Sequence, residues 1–204
     1  FGRSDKPKKE SAHTLAWHRQ ILIEWVRKLD VRRVALALHG TAGAAGLALP
    51  AADPQRYAAL LAINTGFAPA AQASGAGQGA PARLPLSRLP RPPADEQAAC
   101  EAPFPDNGHR AALRALPRLA DGGHEPGLRA FWQNRWQGAS LLICGTPDPF
   151  YGPAAMSALQ AAVRGAPPPL PLPGAGHFSC ATAGREIAQL ALARLAQPAQ
   201  WAKD

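Results

Sequence analysis

The sequence predicts an α/β fold in which a mostly parallel sheet is flanked by helices. Short apolar runs typical of buried strands alternate along the chain with segments whose apolar residues recur every three to four positions, as in amphipathic helices. Gly and Pro mark many of the boundaries between them. Such alternation is typical of a parallel sheet, because successive parallel strands are joined by crossover connections that are usually helical.

The first third of the chain carries the clearest pattern. Apolar residues at helical spacing predict a helix over residues 15–29, and Ser11 lies upstream as its expected N-cap. The following residues predict, in order, a strand over 34–38, a helix over 42–49 that ends at Pro50, and a strand over 60–63.

Residues 68–93 differ from the rest of the chain, because 16 of these 26 residues are Ala, Gly or Pro and none is acidic or aromatic. This composition predicts a loop or a disordered segment. Beyond it the pattern predicts helices over 111–119, 127–136, 152–163 and 184–195, and strands over 140–144 and 170–172.

Composition and charge narrow the possible partners. Ala, Gly and Pro make up 86 of the 204 residues, so the core depends on a few clusters of larger apolar residues. The formal net charge is +8, but 17 of the 22 cations are Arg residues scattered along the chain without interleaved aromatic residues. We therefore expect no nucleic-acid partner.

The compartment and the metal content also follow from the sequence. No run of 18 apolar residues and no basic start followed by an apolar run is present, so we expect no membrane association and a cytoplasmic location. The three cysteines are an odd number and contain no CxxC pair. This pattern supports neither a disulfide framework nor a metal site, and we expect no metal and no cofactor.

Several motifs occur in one consistent order over nearly the whole chain. They are Phe1-Gly-Arg-Ser-Asp-Lys-Pro7, His18-Arg19, Leu29-Asp30, Gly46-Leu-Ala-Leu-Pro50, Ala52-Asp-Pro54, Ala102-Pro-Phe-Pro-Asp106, Phe131-Trp-Gln-Asn134, residues 145–153 and Ala175-Gly-His-Phe178. Together they resemble the middle and the end of a haloalkane dehalogenase of the α/β-hydrolase superfamily. The resemblance is weakest over residues 68–93.

This resemblance implies a partial α/β-hydrolase fold, with the C-terminal part of the sheet and a shortened helical cap. Residues 1–67 and 139–204 would form the two parts of the core, and residues 68–138 would form the cap. In the family, four strands precede the motif that starts here at Phe1, which is not a Met. We therefore expect a fragment, with the inner edge of its sheet unpaired.

The family's site residues transfer position by position. Dehalogenases of this type use an aspartate nucleophile, a histidine base with an orienting acid, and two tryptophans that hold the departing halide. The resemblance assigns the base to His177 and the orienting acid to Asp148. It places Gly40 at the nucleophile position, where there is no side chain to attack carbon, and it places Thr41 and Arg88 where the family has its tryptophans.

Three functions therefore remain open. The first is a dehalogenase-like hydrolase that cleaves carbon–halogen bonds in small apolar or halogenated organic substrates but is impaired or inactive because of Gly40. The second is a non-catalytic remnant that binds a small apolar ligand or a partner. The third is an ester or epoxide hydrolase in which His177 activates water directly. The sequence does not define an oligomeric state.

Overall fold

A computed structural model describes residues 2–68, 93–119 and 126–195 of the chain. Its strands are β1 (Val34–Gly40), β2 (Tyr57–Thr65), β3 (Ala139–Gly145) and β4 (Leu170–Leu172). Its α-helices are α1 (Leu15–Leu29), α2 (Ala42–Gly46), α3 (Ala48–Ala52), α4 (Ala94–Glu101), α5 (Ala111–Leu119), α6 (Pro126–Asn134), α7 (Pro153–Ala162), α8 (Ser179–Thr182) and α9 (Gly184–Leu195). Short 3-10 helices span Glu10–Ala12 and Pro54–Arg56.

The four strands form one parallel sheet in the order β1-β2-β3-β4. The register pairs Gly40 with Thr65 and Gly145 with Leu172, so the carboxyl ends of all four strands lie along one edge. The predicted α/β class is thereby confirmed. Parallel α/β sheets place their functional sites beyond this edge, and the loops that leave it carry the predicted site residues.

The sheet is covered on both faces, which explains why its inner strands are mostly apolar. Leu142 and Cys144 of β3 face one cluster, which includes Trp132 and Met156 from the flanking helices. The alternate residues of the same strand face a second cluster, which includes Ile187 of α9. Successive side chains of a strand point to opposite faces, so a strand that is covered on both sides needs no polar alternation.

The sheet's first strand is less enclosed than the others. Within the described ranges β1 pairs with β2 alone, and its Ala35 and Ala37 side chains are exposed. Val34 and Leu36 on the other face are half-buried and pack against the first cluster. In the described part of the chain, β1 therefore forms one edge of the sheet, as we expected.

Two helix boundaries differ from the sequence prediction. Thr14, not Ser11, caps α1, because its hydroxyl accepts a hydrogen bond from the Trp17 amide, and the chain around Ser11 forms a 3-10 turn. Pro50 does not end a helix. The predicted single helix is divided into α2 and α3, and Pro50 lies in the first turn of α3, where a missing N–H group costs little.

The cap region contains one helix, α4, that the sequence pattern did not predict. It begins directly after Pro93 and has Asp95 and Glu96 in its first turn, where negative charge stabilises a helix. The predicted disordered segment lies outside the described residues over 69–92, and the three-part domain division stays a prediction. No helix in the described ranges is long and apolar enough to cross a membrane.

Candidate functional site

The turn from β1 into α2 has the tight geometry of a strand-to-helix elbow. Gly40 occupies it with φ +60°, a left-handed conformation that side chains other than glycine rarely adopt. The Thr65 hydroxyl at the end of β2 donates a hydrogen bond of 2.6 Å to the Gly40 carbonyl. A Cβ atom at Gly43 would overlap that hydroxyl, so a glycine is needed where α2 meets β2.

The helix that follows the elbow is also held from the other side. Arg19 of α1 is buried, and its Nε and Nη2 groups both donate to the Ala44 carbonyl, at 3.2 and 3.0 Å. A guanidinium presents several donors in one plane, so a single carbonyl can accept two of them. This contact fixes the position of α2, and with it the elbow, relative to α1.

A carboxylate follows β3 at the same edge of the sheet. Asp148 lies three residues beyond the end of that strand, and its side chain is fully buried. Oδ1 accepts a hydrogen bond of 2.8 Å from the Phe150 amide, and Oδ2 lies 3.0 Å from Nδ1 of His177. The backbone bond holds the carboxylate in one orientation toward the imidazole.

His177 lies in the loop between β4 and α8, and its side chain is 11% exposed. A carboxylate only accepts hydrogen bonds, so Nδ1 of His177 carries the proton shared with Asp148. In the neutral ring the other nitrogen, Nε2, then presents a lone pair. This is the arrangement of a histidine that can take a proton from water or from a hydroxyl group.

The elbow and the histidine face each other. A Cβ atom built at Gly40 would lie 3.6 Å from both Cε1 and Nε2 of His177, and apart from residue 40 and its two chain neighbours no atom of the described residues would be closer. The structure therefore brings together His177, Asp148 and Gly40, the three positions that the sequence predicted as one site. A side chain at residue 40 would project toward the free nitrogen of the imidazole.

A second histidine supports the loop that carries His177. Nε2 of His39, the last residue before Gly40, donates a hydrogen bond of 2.6 Å to the His177 carbonyl. Burial lowers the pKa of His39, and the neighbouring His177 ring acts in the same direction. A hydrogen bond to the His177 backbone and the Asp148 charge oppose this shift without cancelling it. His39 is therefore held in its neutral form, which leaves Nε2–H as its donor.

One of the two predicted halide positions lies among the described residues. Thr41 is half-buried and lies directly after Gly40, before the first residue of α2. Arg88 lies outside the described residues. In the described parts of the chain, no cluster of three His, Cys, Asp or Glu side chains has the geometry to hold a metal ion.

The residue predictions missed two side chains that organise this edge, Asn64 and Thr65 at the end of β2. Both are fully buried and both bond to loops that carry the predicted residues. A sequence signal for them exists. Two adjacent polar residues close an otherwise apolar run, and polar residues at the carboxyl end of a buried parallel strand are candidates for a site.

Comparison with known proteins places the chain in a family. No protein-family model matches the chain. "Haloalkane dehalogenase 1" of Mycobacterium tuberculosis (strain ATCC 25618 / H37Rv) is 33% identical to it over 210 residues, which covers 93% of this chain and 69% of that protein. The chain belongs to the haloalkane dehalogenase family. "Haloalkane dehalogenase" of Mycolicibacterium paratuberculosis is 29% identical over 209 residues, with 93% and 69% of the two chains covered.

Solved structures of haloalkane dehalogenases agree with this assignment. Haloalkane dehalogenase DpaA from Paraglaciecola agarilytica NO2 has a TM-score of 0.78 and 31% identity, with 95% of this chain and 71% of that chain covered. The enol-lactonase from Burkholderia xenovorans LB400 has a TM-score of 0.65 at 20% identity, over 95% and 76% of the two chains, and shares the fold alone. This member of the haloalkane dehalogenase family thus has the predicted α/β-hydrolase fold.

Proposed function

We propose that this chain retains the histidine–carboxylate half of a dehalogenase site and lacks the nucleophile, so that it hydrolyses carbon–halogen bonds poorly or not at all. In this proposal His177 is the base, Asp148 is the acid that orients it, and Gly40 stands at the nucleophile position. The observation that carries it is the 3.6 Å separation between a Cβ atom at Gly40 and Nε2 of the carboxylate-bound imidazole.

The chemistry explains why the missing side chain matters. In hydrolytic dehalogenation a carboxylate oxygen attacks the saturated carbon, the carbon–halogen bond breaks, and halide leaves while an ester forms. The histidine then takes a proton from water, and the resulting hydroxide attacks the ester carbonyl to release the alcohol. Without a carboxylate at residue 40 the first displacement has no internal nucleophile, although His177, the proposed base for the second step, is hydrogen-bonded to Asp148.

The sequence also lacks the side chains that stabilise the departing halide in the family. A departing halide in a dry pocket needs N–H or O–H donors aimed at it. The residues that match the family's two tryptophans are Thr41 and Arg88, so neither indole donor is present in the sequence. We therefore expect that restoring the carboxylate alone gives alkylation without fast turnover. The substrate class that we propose is a small apolar or halogenated organic molecule.

One observation favours a second candidate, an ester hydrolase that uses water directly. Apart from the chain neighbours of residue 40, the only atoms of the described residues within 4 Å of a Cβ position at Gly40 belong to the His177 imidazole. A water molecule there would lie within reach of the imidazole, which could take its proton as the hydroxide attacks an activated ester. Such a reaction needs no residue at position 40 and no halide site.

The experiment places a carboxylate at the elbow and looks for the ester. Gly40→Asp is combined with His177→Gln, which removes the base so that an alkyl ester cannot be hydrolysed. The protein is incubated with 1-bromobutane and analysed by intact-mass and peptide mass spectrometry. We expect one added butyl group at residue 40. Asp is among the residues that tolerate a left-handed φ best, so the substitution is compatible with the elbow.

The matched control is Gly40→Ala with His177→Gln, which introduces the same Cβ atom without a carboxylate and should remain unalkylated.

The unaltered chain should release no halide from 1-bromobutane. Slow hydrolysis of p-nitrophenyl acetate that disappears in His177→Gln would support the second candidate. Rapid, multiple-turnover halide release by the unaltered chain, or failure of the folded Asp variant to alkylate, would contradict the proposal.

A further inference from the structure

The side chain of Asn64 lies between the two loops that carry the proposed base and acid. Asn64 is fully buried at the carboxyl end of β2 and has a left-handed backbone with φ +41°. Asn is enriched among the residues that adopt this conformation. The register with β1 skips Asn64, because Ile63 lies opposite His39 and Thr65 lies opposite Gly40.

On one side the amide is bonded to the acid loop. Its Oδ1 accepts from the Gly145 amide at 2.8 Å, and its Nδ2 donates to the Gly145 carbonyl at 3.0 Å. Nδ2 also lies 3.3 Å from the Tyr151 carbonyl, to which it donates. Gly145 and Tyr151 stand on either side of Asp148 in the chain, so one side chain holds both ends of the loop that presents the carboxylate.

On the other side the amide is bonded to the histidine segment. The Ser179 hydroxyl, itself fully buried, donates to Oδ1 of Asn64 at 3.0 Å. Ser179 opens α8 two residues after His177. The same oxygen atom therefore accepts from the acid loop and from the segment that carries the imidazole, and their relative placement depends on it.

All the hydrogen-bonding capacity of the amide is used in these contacts. A primary amide offers two donor hydrogens and two acceptor lone pairs, and the four bonds to Gly145, Tyr151 and Ser179 account for them. A buried amide with a complete set of partners has one favoured orientation, because a rotated amide would leave polar groups unpaired in the core.

We propose that Asn64 is the positioning residue of the site, holding Asp148 and His177 at hydrogen-bonding distance through Gly145, Tyr151 and Ser179. The inference rests on the proposed function for the roles of the base and the acid. Asn64 forms no hydrogen bond with Asp148 or His177, and the proposal is that it sets their separation through the backbone and the hydroxyl group that it binds.

The test measures the hydrogen bond between Asp148 and His177 and does not require the protein to turn over a substrate. In the full chain, labelled with ¹⁵N at histidine, NMR detects the Nδ1 proton of His177 and its exchange with water. Asn64→Gly removes the side-chain amide, and glycine adopts the left-handed backbone conformation without strain. Asn64→Ala removes the same amide and adds backbone strain. We expect both variants to accelerate that exchange by about tenfold or more, since each loses several buried hydrogen bonds.

Two further variants complete the design. Ser179→Ala deletes a single hydroxyl and should accelerate exchange by roughly threefold, even where the Asn64 variants unfold. Asn134→Ala, the matched control, removes an exposed amide that bonds within α6, and should leave exchange unchanged. Unchanged exchange in a folded Asn64→Gly variant, or in Ser179→Ala, would overturn the proposal. Because Gly40 is unaltered throughout, the outcome is independent of the alkylation experiment.

Discussion

The close contact between α2 and β2 allows a quantitative test of the elbow. Gly43→Ala would place a methyl group on the Thr65 hydroxyl and 3.2 Å from the Gly66 carbonyl. To make room, the hydroxyl must rotate and give up its bond to the Gly40 carbonyl, which costs about 1–3 kcal/mol for a buried acceptor left unpaired. Overpacking adds about 1–3 kcal/mol, so we expect a total loss of roughly 2–6 kcal/mol.

A double-mutant cycle separates this mechanism from a general intolerance of the site. Thr65→Ala removes the hydroxyl and should cost about 1–3 kcal/mol on its own, because the Gly40 carbonyl loses its donor. In that background the methyl group of Gly43→Ala no longer meets the hydroxyl. The double variant should therefore be more stable than the sum of the single losses by about 1–3 kcal/mol.

The assay is urea unfolding followed by circular dichroism, from which the free energy of unfolding of each variant is obtained. Gly127→Ala is the control, because apart from its chain neighbours and the backbone of its own helix no atom of the described residues lies within 4 Å of its Cβ position. In the first turn of α6 it should change stability by less than about 1 kcal/mol, in the stabilising direction. Strictly additive losses for Gly43→Ala and Thr65→Ala would refute the proposed steric coupling.

Two other features give predictions of their own. Trp132→Phe removes an indole that is fully buried and donates to the Leu47 carbonyl at 3.0 Å, and the free energy of unfolding should fall by about 1–3 kcal/mol. An unchanged urea midpoint would contradict this. Burial lowers the pKa of His39 below 6.5, so the unfolded chain takes up its proton first as the pH falls. The free energy of unfolding should therefore decrease as the pH falls from 6.5 to the lowered pKa of His39. In His39→Gln this decrease should be smaller. Equal slopes in both proteins would show that His39 does not contribute.

The sequence alone was sufficient to predict the layout of the sheet and the meeting of three predicted positions. Strands β1, β3 and β4 end close to their expected residues, and Asp148 and His177 follow strand ends, as their position in the resemblance implies. Local patterns predict the strands because strand burial and turn residues are short-range properties of the chain, whereas the grouping of Gly40, Asp148 and His177 was implied by the family resemblance.

The contacts that depend on distant residues could not be predicted in the same way. Thr14 and Ser11 are both acceptable N-caps by residue type, and only the 3-10 turn before α1 decides between them. The bonds of Asn64 reach residues 81 to 115 positions further along the chain. No local pattern specifies which loops a buried amide will meet, because that depends on the packed arrangement of the whole sheet edge.

The left-handed turn at Gly40 is held by the Thr65 hydroxyl and by the close approach of Gly43 to β2. The backbone therefore offers an empty attachment point whose distance to the imidazole is already set. Asp, Ser and Cys introduced there would start from one common Cβ position. Their reactivities toward one electrophile would then compare oxygen and sulfur nucleophiles on an unchanged scaffold, with the unaltered glycine as the blank.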